Sequence, residues 1–140
     1  VLKEFKNINF IVGIDLLNVE PIDGVYIAEQ DIKDYDSYTQ LFEKKDSKLD
    51  LVLSDIAPNI TGISDIDQSN FSYIAIDILR FCRFKLKQNG MLVMKYFLGS
   101  SFETTRKTLN NNFSKINVFK PASSKKKSNE VYLICIGFKD

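Results

Sequence analysis

Three charged residues stand at the ends of apolar runs that are predicted to form β-strands. Asp55 follows Leu-Val-Leu-Ser, Lys95 follows Gly-Met-Leu-Val-Met, and Glu130 precedes Val-Tyr-Leu-Ile-Cys-Ile. Such charges are costly inside a sheet but useful at its carboxyl edge, where open α/β sheets bind ligands. The sequence has no histidine, so proton transfer must use Asp, Glu, Lys, Tyr or Cys. The three residues therefore indicate an active site.

Apolar runs alternate with amphipathic stretches along the chain, which predicts a mostly parallel sheet covered by helices on both faces. The predicted strands are residues 9–14, 25–28, 49–54, 90–96, 115–119 and 131–138. Helical spacing predicts one helix over residues 35–45 and a longer one over residues 71–86, closed by Asn89-Gly90 as a left-handed cap. Ser100 and Glu103 form a capping box that predicts a third helix.

The direction of the last predicted strand decides whether the three charged residues can meet. Glu130 begins that strand, whereas Asp55 and Lys95 stand at the ends of theirs. If the last strand runs antiparallel to the others, its start lies at the same edge as their carboxyl ends. We therefore predict that the three side chains share that edge. The alternative for Glu130 is a surface ion pair with Lys126 or Lys127.

The composition fits one globular domain with an ordinary apolar core. The chain has 140 residues, of which 44% are apolar and 26% charged. Its longest apolar runs are far shorter than the roughly 20 residues that span a bilayer. Cys82 and Cys135 lack the paired spacing of a zinc or redox motif, which predicts a role in the core. We expect a monomer without membrane contact, because no long exposed apolar stripe indicates otherwise.

Positive charge is concentrated in one part of the chain. Residues 104–129 contain no Asp or Glu. The basic residues of this range are Arg106, Lys107, Lys115, Lys120, Lys125, Lys126 and Lys127. Such a distribution favours a polyanion as partner, and a solvated surface is the alternative.

Three sequence blocks, at residues 51–62, 90–99 and 120–132, carry a resemblance to a known family. The first reads Leu-Val-Leu-Ser-Asp-Ile-Ala-Pro-Asn-Ile-Thr-Gly. Over nearly its whole length the chain resembles the RrmJ/FtsJ ribose 2′-O-methyltransferases, and within them the branch that modifies a uridine of large-subunit ribosomal RNA. The resemblance implies a Rossmann-like, S-adenosyl-methionine-dependent methyltransferase fold with an antiparallel last strand. It also implies a single methyltransferase domain over residues 1–140.

The resemblance implies a catalytic role for each of the three charged residues. Asp55 is expected beside the methyl sulfonium, Lys95 as the acceptor of the 2′-hydroxyl proton, and Glu130 as a further member of the catalytic set. A lysine side chain normally has a pKa of about 10.4. Desolvation or a nearby cation would have to lower this pKa for Lys95 to accept a proton. The negative charge of Asp55 alone would raise it. The alternative is that Lys95 positions the hydroxyl without deprotonating it.

Two aspartates that follow the first two predicted strands are candidates for holding the cofactor. Asp15 would accept hydrogen bonds from a ribose hydroxyl, and Asp31 would hold an adenine amino group while Ile32 packs on the ring. The resemblance implies that Asp15, Leu16, Asp31 and Ile32, together with Asp55, bind S-adenosyl-methionine. The alternative for each aspartate is a turn or helix-cap residue. NAD binding would also use Asp15.

The basic segment is expected to hold RNA, with ribosomal RNA or the large ribosomal subunit as the partner. The predicted contacts are Lys120, Ser124, Lys125, Lys126 and Lys127. Phosphate contacts give affinity and salt dependence but little base specificity, so base choice must come from RNA shape and an unpaired base. Tyr96 and Phe97 are candidates for stacking on a base, with core packing as the alternative. The polar residues 62–70 are predicted to form a loop that closes over substrate.

The six glycines are scattered singly, without the Gly-rich turn of nucleotide-binding folds. The family's first strand, its Gly-rich motif and the first lysine of its tetrad are therefore expected upstream of Val1, with residues 1–6 as the last turn of a helix. Two further alternatives follow, a transfer RNA or messenger-cap substrate and a non-catalytic RNA-binding remnant of the same fold. The expected compartment is the cytoplasm or an organelle such as the mitochondrion.

Overall fold

The apolar runs of the sequence form the strands of the structure, a computed structural model that describes residue 8 and residues 10–34, 47–122 and 128–139. The strands are β1 (Val12–Asp15), β2 (Tyr26–Glu29), β3 (Leu49–Ser54), β4 (Leu86–Phe97), β5 (Phe113–Phe119) and β6 (Glu130–Phe138). The helices among these residues are α1 (Ser64–Lys85) and α2 (Phe102–Asn112), and neither is long and apolar enough to cross a membrane. The predicted helical segments 1–6 and 35–45 lie outside the described residues.

The chain divides into two compact units, and the first, which ends at Ser47, contains a two-stranded parallel sheet. β1 pairs with β2 so that Asp15 lies opposite Glu29. The amide of Gln30 donates to the carbonyl of Asp15 at 2.7 Å, which continues the pairing past the end of both strands. Because parallel strands end at the same edge, Asp15 and the residues that follow β2 lie at the same edge of this sheet.

The second unit, which begins at Lys48, contains a four-stranded sheet in the order β3-β4-β6-β5. β3 and β4 are parallel, whereas β6 runs antiparallel to both of its neighbours. The register places Lys95 opposite Tyr132 and Phe97 opposite Glu130. On the other side of β6, Phe119 lies opposite Tyr132. The predicted antiparallel last strand is confirmed, and it starts at the edge where β3, β4 and β5 end.

The core lies on one face of this sheet, between the central strands and the helices. Alternate residues of the two central strands are buried, as expected for side chains that point to one face: Leu92, Met94, Tyr96, Val131, Leu133 and Cys135. The helices contribute the buried side chains of Phe71, Ile78, Cys82 and Leu109. Both cysteines are free thiols, and burial raises the pKa of each to about 12. Their predicted role in the core is confirmed.

A buried hydrogen-bond network ties the end of β4 to both helices. The Tyr96 hydroxyl lies 2.7 Å from the Ser101 hydroxyl and 2.9 Å from the Thr105 hydroxyl. Ser101 in turn donates to the side-chain oxygen of Gln68 on α1, at 2.9 Å. Phe97 stacks on a phenylalanine ring of α1, with 4.7 Å between ring centroids. Tyr96 and Phe97 are therefore packing residues, as the alternative to base stacking predicted.

The predicted end of the longer helix is wrong. α1 ends at Lys85 rather than at Asn89-Gly90, because the side chain of Leu86 is buried and its backbone pairs with Leu49 of β3. Asn89 does adopt the predicted left-handed conformation, with φ 63°. It does so inside β4, between the residues where the pairing with β3 changes register.

Two helix starts also differ from the prediction. Residues 64–70 form the first turns of α1 rather than a loop. The Asp67 carboxylate accepts from the amide and hydroxyl of Thr61 and from the Gly62 amide, which holds the preceding loop against this helix. The hydrogen bond from the Thr61 amide is the main reason that the pKa of Asp67 is lowered.

The predicted capping box at Ser100 is wrong. The residue that caps α2 is Ser101 rather than Ser100, and its side chain makes no capping hydrogen bond.

Truncation of a leucine on each face of the sheet tests this architecture. Leu133→Ala should lower the free energy of unfolding by about 2–5 kcal/mol, because Leu133 is 0% exposed and its loss leaves a cavity. Leu53→Ala is the control: its side chain is 57% exposed, so the change should stay near 0.5 kcal/mol. Urea unfolding monitored by circular dichroism measures both. An equal loss in the two variants would contradict the exposed face of β3.

Candidate functional site

Lys95 is the centre of a polar cluster at the carboxyl edge of the four-stranded sheet. Its Nζ lies 2.8 Å from Asp55 Oδ1 and also donates to the Asp55 carbonyl at 3.4 Å. The Lys95 side chain is 16% exposed and that of Asp55 is 73% exposed. The register of the two strands brings Asp55 and Lys95 together. Ser54 of β3 lies opposite Met94 of β4, and the charged residues are the next ones along the chain.

β6 adds two side chains to this cluster. The Tyr132 hydroxyl donates to Asp55 Oδ1 at 3.3 Å, and the backbone of Tyr132 lies opposite Lys95. Glu130 stands two residues earlier on the same face, and its charge acts on Lys95. The structure thus brings Asp55, Lys95 and Glu130 to one edge, as predicted. Tyr132 was not among the predicted site residues, although the alternation Glu-Val-Tyr places it on the face of Glu130.

The cluster favours the protonated form of Lys95. The pKa of Lys95 is raised, mainly by its hydrogen bond to the Asp55 carboxylate; burial opposes this effect, and the charges of Asp55 and Glu130 add to it. The pKa of Tyr132 is also raised, first by burial and then by the Asp55 charge. At neutral pH Lys95 is therefore an ammonium group and Tyr132 a neutral phenol, and both contact Asp55 Oδ1.

The cofactor candidates lie in the first unit, at the shared carboxyl edge of β1 and β2. Asp15 Oδ1 accepts from the Leu17 amide and Asp31 Oδ1 accepts from the Lys33 amide, each at 2.9 Å. These are the turn contacts that the alternative for each aspartate predicted. Both carboxylates are exposed, and so is the apolar side chain of Leu16, which follows Asp15 in sequence. Ile32, the remaining candidate, is half-buried.

Of the predicted RNA contacts, the structure describes Lys120. Its side chain is exposed, and its Nζ donates to the Ser128 carbonyl at 2.8 Å, which joins the two ends of the segment between β5 and β6. The other predicted contacts lie outside the described residues: Ser124, Lys125, Lys126 and Lys127. Arg106 on α2 pairs with Glu103 at 2.8 Å, so part of the positive charge in this half of the chain is balanced locally.

Sequence comparison relates the chain to RNA methyltransferases. The model of the FtsJ-like methyltransferase family matches residues 1–138. The ribosomal RNA large subunit methyltransferase E of Methylobacillus flagellatus is 36% identical over 125 residues, which are 89% of this chain and 60% of that protein. The protein of the same name from Francisella philomiragia is 34% identical over 140 residues, with 99% and 68% covered. The chain therefore spans about three fifths to two thirds of the length of these relatives.

Structural comparison relates the fold to methyltransferases as well. A crystal structure of a Plasmodium falciparum protein described as a ribosomal RNA methyltransferase superposes with a TM-score of 0.78 at 26% identity, covering 91% of this chain and 71% of that one. Aeropyrum pernix fibrillarin with bound S-adenosyl-methionine gives a TM-score of 0.61 at 14% identity, covering 91% and 55%. The second likeness concerns the fold alone. The predicted Rossmann-like methyltransferase fold is confirmed.

Removal of the Asp55 charge tests the central ion pair. Asp55→Asn should lower the pKa of Lys95, because the hydrogen bond to the carboxylate is the main cause of its elevation. Nuclear magnetic resonance titration of the labelled lysine side chain measures this value. The control is Asp50→Asn, which removes the carboxylate of another lysine pair, Lys87 Nζ to Asp50 Oδ1 at 2.7 Å, and should leave Lys95 unchanged. No change in Asp55→Asn would mean that the pair does not form in solution.

Proposed function

Because the chain belongs to the FtsJ-like methyltransferase family, we propose that it methylates the 2′-hydroxyl of a uridine in large-subunit ribosomal RNA, with S-adenosyl-methionine as methyl donor. The observation that carries this proposal is the ion pair of Lys95 and Asp55 at the carboxyl edge of the sheet. The names of the two relatives support the RNA substrate. The proposal includes one methyltransferase domain over residues 1–140 that acts as a monomer on the large ribosomal subunit, in the cytoplasm or an organelle.

The residues of the first unit fit the adenosine part of this cofactor. When bound, S-adenosyl-methionine supplies a methyl group on a positively charged sulfur, which is a good leaving group. The Asp15 carboxylate can accept hydrogen bonds from ribose hydroxyls, and that of Asp31 from an adenine amino group. Leu16 and Ile32 offer apolar surface for the ring. Two carboxylates at the carboxyl edge of a parallel sheet, one of them followed by the exposed Leu16, support this assignment.

Lys95, Asp55 and Glu130 are proposed as the residues that act on the ribose hydroxyl. Lys95 accepts its proton, and Asp55 directs the Lys95 Nζ through the bond of 2.8 Å. The Tyr132 hydroxyl donates to the same Asp55 oxygen, Oδ1, and so helps to hold the carboxylate beside Lys95. Glu130 adds negative charge near the ammonium. Alignment of the hydroxyl contributes to the rate alongside proton transfer.

Proton acceptance requires the neutral form of Lys95, which its surroundings disfavour. Asp55 and Glu130 raise the lysine pKa, so the neutral amine is a minor form at pH 7. In the charged form, Lys95 would instead donate to the hydroxyl oxygen and stabilise negative charge as it develops there. The two roles differ in how the rate depends on pH.

Cofactor binding tests the assignment of the first unit. Asp31→Ala should weaken the binding of S-adenosyl-methionine roughly 10- to 100-fold, because a hydrogen bond to a charged group is lost. Isothermal titration calorimetry measures the dissociation constant. Asp23→Ala is the matched control: Asp23 is exposed in the turn before β2, at the opposite end of that strand, and its loss should leave binding unchanged. A folded chain that binds no cofactor would mean either that the expected upstream segment is required for binding or that the chain is an RNA-binding remnant.

Methyl transfer tests the activity and the role of Lys95. Lys95→Met should lower the rate about 100- to 10,000-fold, the usual contribution of a positioned acid or base. The assay follows labelled methyl transfer from S-adenosyl-methionine to unmodified large ribosomal subunits, with nuclease digestion to identify 2′-O-methyluridine. Lys87→Met removes an exposed lysine from the other end of β4 and should retain the rate.

The pH dependence of the same reaction separates the two roles of Lys95. As the proton acceptor, Lys95 reacts in its neutral form, whose fraction rises about tenfold per pH unit below the lysine pKa. Because that pKa is raised, the rate should keep rising from pH 7 to beyond pH ~10. A flat profile over this range would contradict proton acceptance and leave Lys95 with the positioning role.

A further inference from the structure

An aromatic side chain at the end of β5 lies in line with the Lys95 cluster. Phe119 is opposite Tyr132 of β6, and Tyr132 is opposite Lys95 of β4. Residues directly opposite one another on antiparallel strands point to the same face of the sheet. Lys95, Tyr132 and Phe119 therefore form a row across one face, at the edge where β4 and β5 end.

The spacing of this row suits a nucleotide. Neighbouring strands lie about 4.8 Å apart, so the backbone of Phe119 is about 10 Å from that of Lys95. The backbone of Tyr132 lies between them, and its side chain extends past Lys95 to Asp55, which accepts from its hydroxyl. A ribose held at Lys95 can thus extend its base, or the base of its neighbour, across Tyr132 towards Phe119.

The exposure and charge around Phe119 indicate an aromatic surface for a polyanionic ligand. The Phe119 side chain is 53% exposed at the end of β5, an edge strand of the four-stranded sheet. Lys120 follows it, and Lys115 stands on the same face of β5; both are exposed. A single exposed aromatic residue is ordinary, but one aligned with Lys95, followed by a lysine and on the same strand face as another, has the chemistry of a single-stranded RNA site.

We propose that Phe119 and Tyr132 form a stacking platform for an unpaired nucleobase of the bound RNA. The proposal deepens the proposed function and rests on it, because RNA is the substrate assigned there. Tyr96 and Phe97 are the sequence candidates for base stacking, but these two residues pack against the helices. The proposal assigns the stacking role to Phe119 and Tyr132 instead. Stacking needs a free base face, so the platform selects a nucleotide that is single-stranded or flipped out of a helix.

RNA binding by the full chain, measured without cofactor, tests the platform. The probes are a fluorescein-labelled octamer of uridine and an abasic ribose-phosphate chain of the same length, and fluorescence anisotropy gives the dissociation constants. Phe119→Ala should weaken octamer binding roughly 5- to 150-fold, the equivalent of about 1–3 kcal/mol for one stacked base. Binding of the abasic chain, which depends on phosphate contacts, should not change.

Val118→Ala is the matched control, because Val118 is the preceding residue, is 48% exposed and lies on the other face of β5. It should bind the octamer as the unchanged chain does, and Phe119→Trp should bind at least as tightly. Phe119→Leu, which keeps apolar volume without a ring, replaces the alanine variant if thermal melting shows that variant to be unfolded.

Three results would overturn the platform: equal losses in Phe119→Ala and Val118→Ala, equal losses for the octamer and the abasic chain, or no preference of the unchanged chain for the octamer. The outcome is separable from that of the proposed function. A chain that stacks bases but transfers no methyl group would refute the enzymatic role alone. A chain that methylates RNA without any effect of Phe119→Ala on octamer binding would refute the platform alone.

Discussion

The reversed direction of β6 is the constraint on which the candidate site depends. β6 lies between β4 and β5, and it runs against both, so its first residues meet their last ones. If β6 were parallel to β4, Glu130 and Tyr132 would lie at the far edge of the sheet, away from Lys95. Asp55 would then have lost its tyrosine partner, and the ammonium of Lys95 would have lost the second negative charge. A single reversal assembles the cluster from three strands.

The two faces of the sheet at the end of β4 have different surroundings. Lys95 points to the face that carries Asp55 and Tyr132, whereas the next residue, Tyr96, points into the core. The hydroxyl network of Tyr96 with Ser101 and Thr105 fixes the strand from behind. A long, flexible lysine side chain gains a defined position only when its backbone is rigid. The buried network thus supports the polar cluster, although the two share no atoms.

The charged residues at strand ends could be predicted from the sequence, because a charge that ends an apolar run is recognised from the order of residues alone. Asp55, Lys95 and Glu130 were found in this way. The alternation Glu-Val-Tyr placed Tyr132 on the face of Glu130, but the contact partners of Tyr132 and Phe119 depend on the register between strands, which an apolar run does not encode. Asn89 shows a different limit. It is left-handed, but the cap predicted at Asn89-Gly90 does not form there, because burial of Leu86 outweighed the local signal and ended the helix earlier.

The hydrogen bond from Lys120 to the Ser128 carbonyl closes the segment between β5 and β6 at its base. The pairing of Phe119 with Tyr132 begins beside this bond, so both ends of the segment are held by contacts of their own. The entropic cost of such a segment grows slowly, by about 0.6 kcal/mol for each doubling of its length. Insertions and charge changes between these two ends should therefore cost little stability, and the positions of Lys95 and Asp55 should not depend on them.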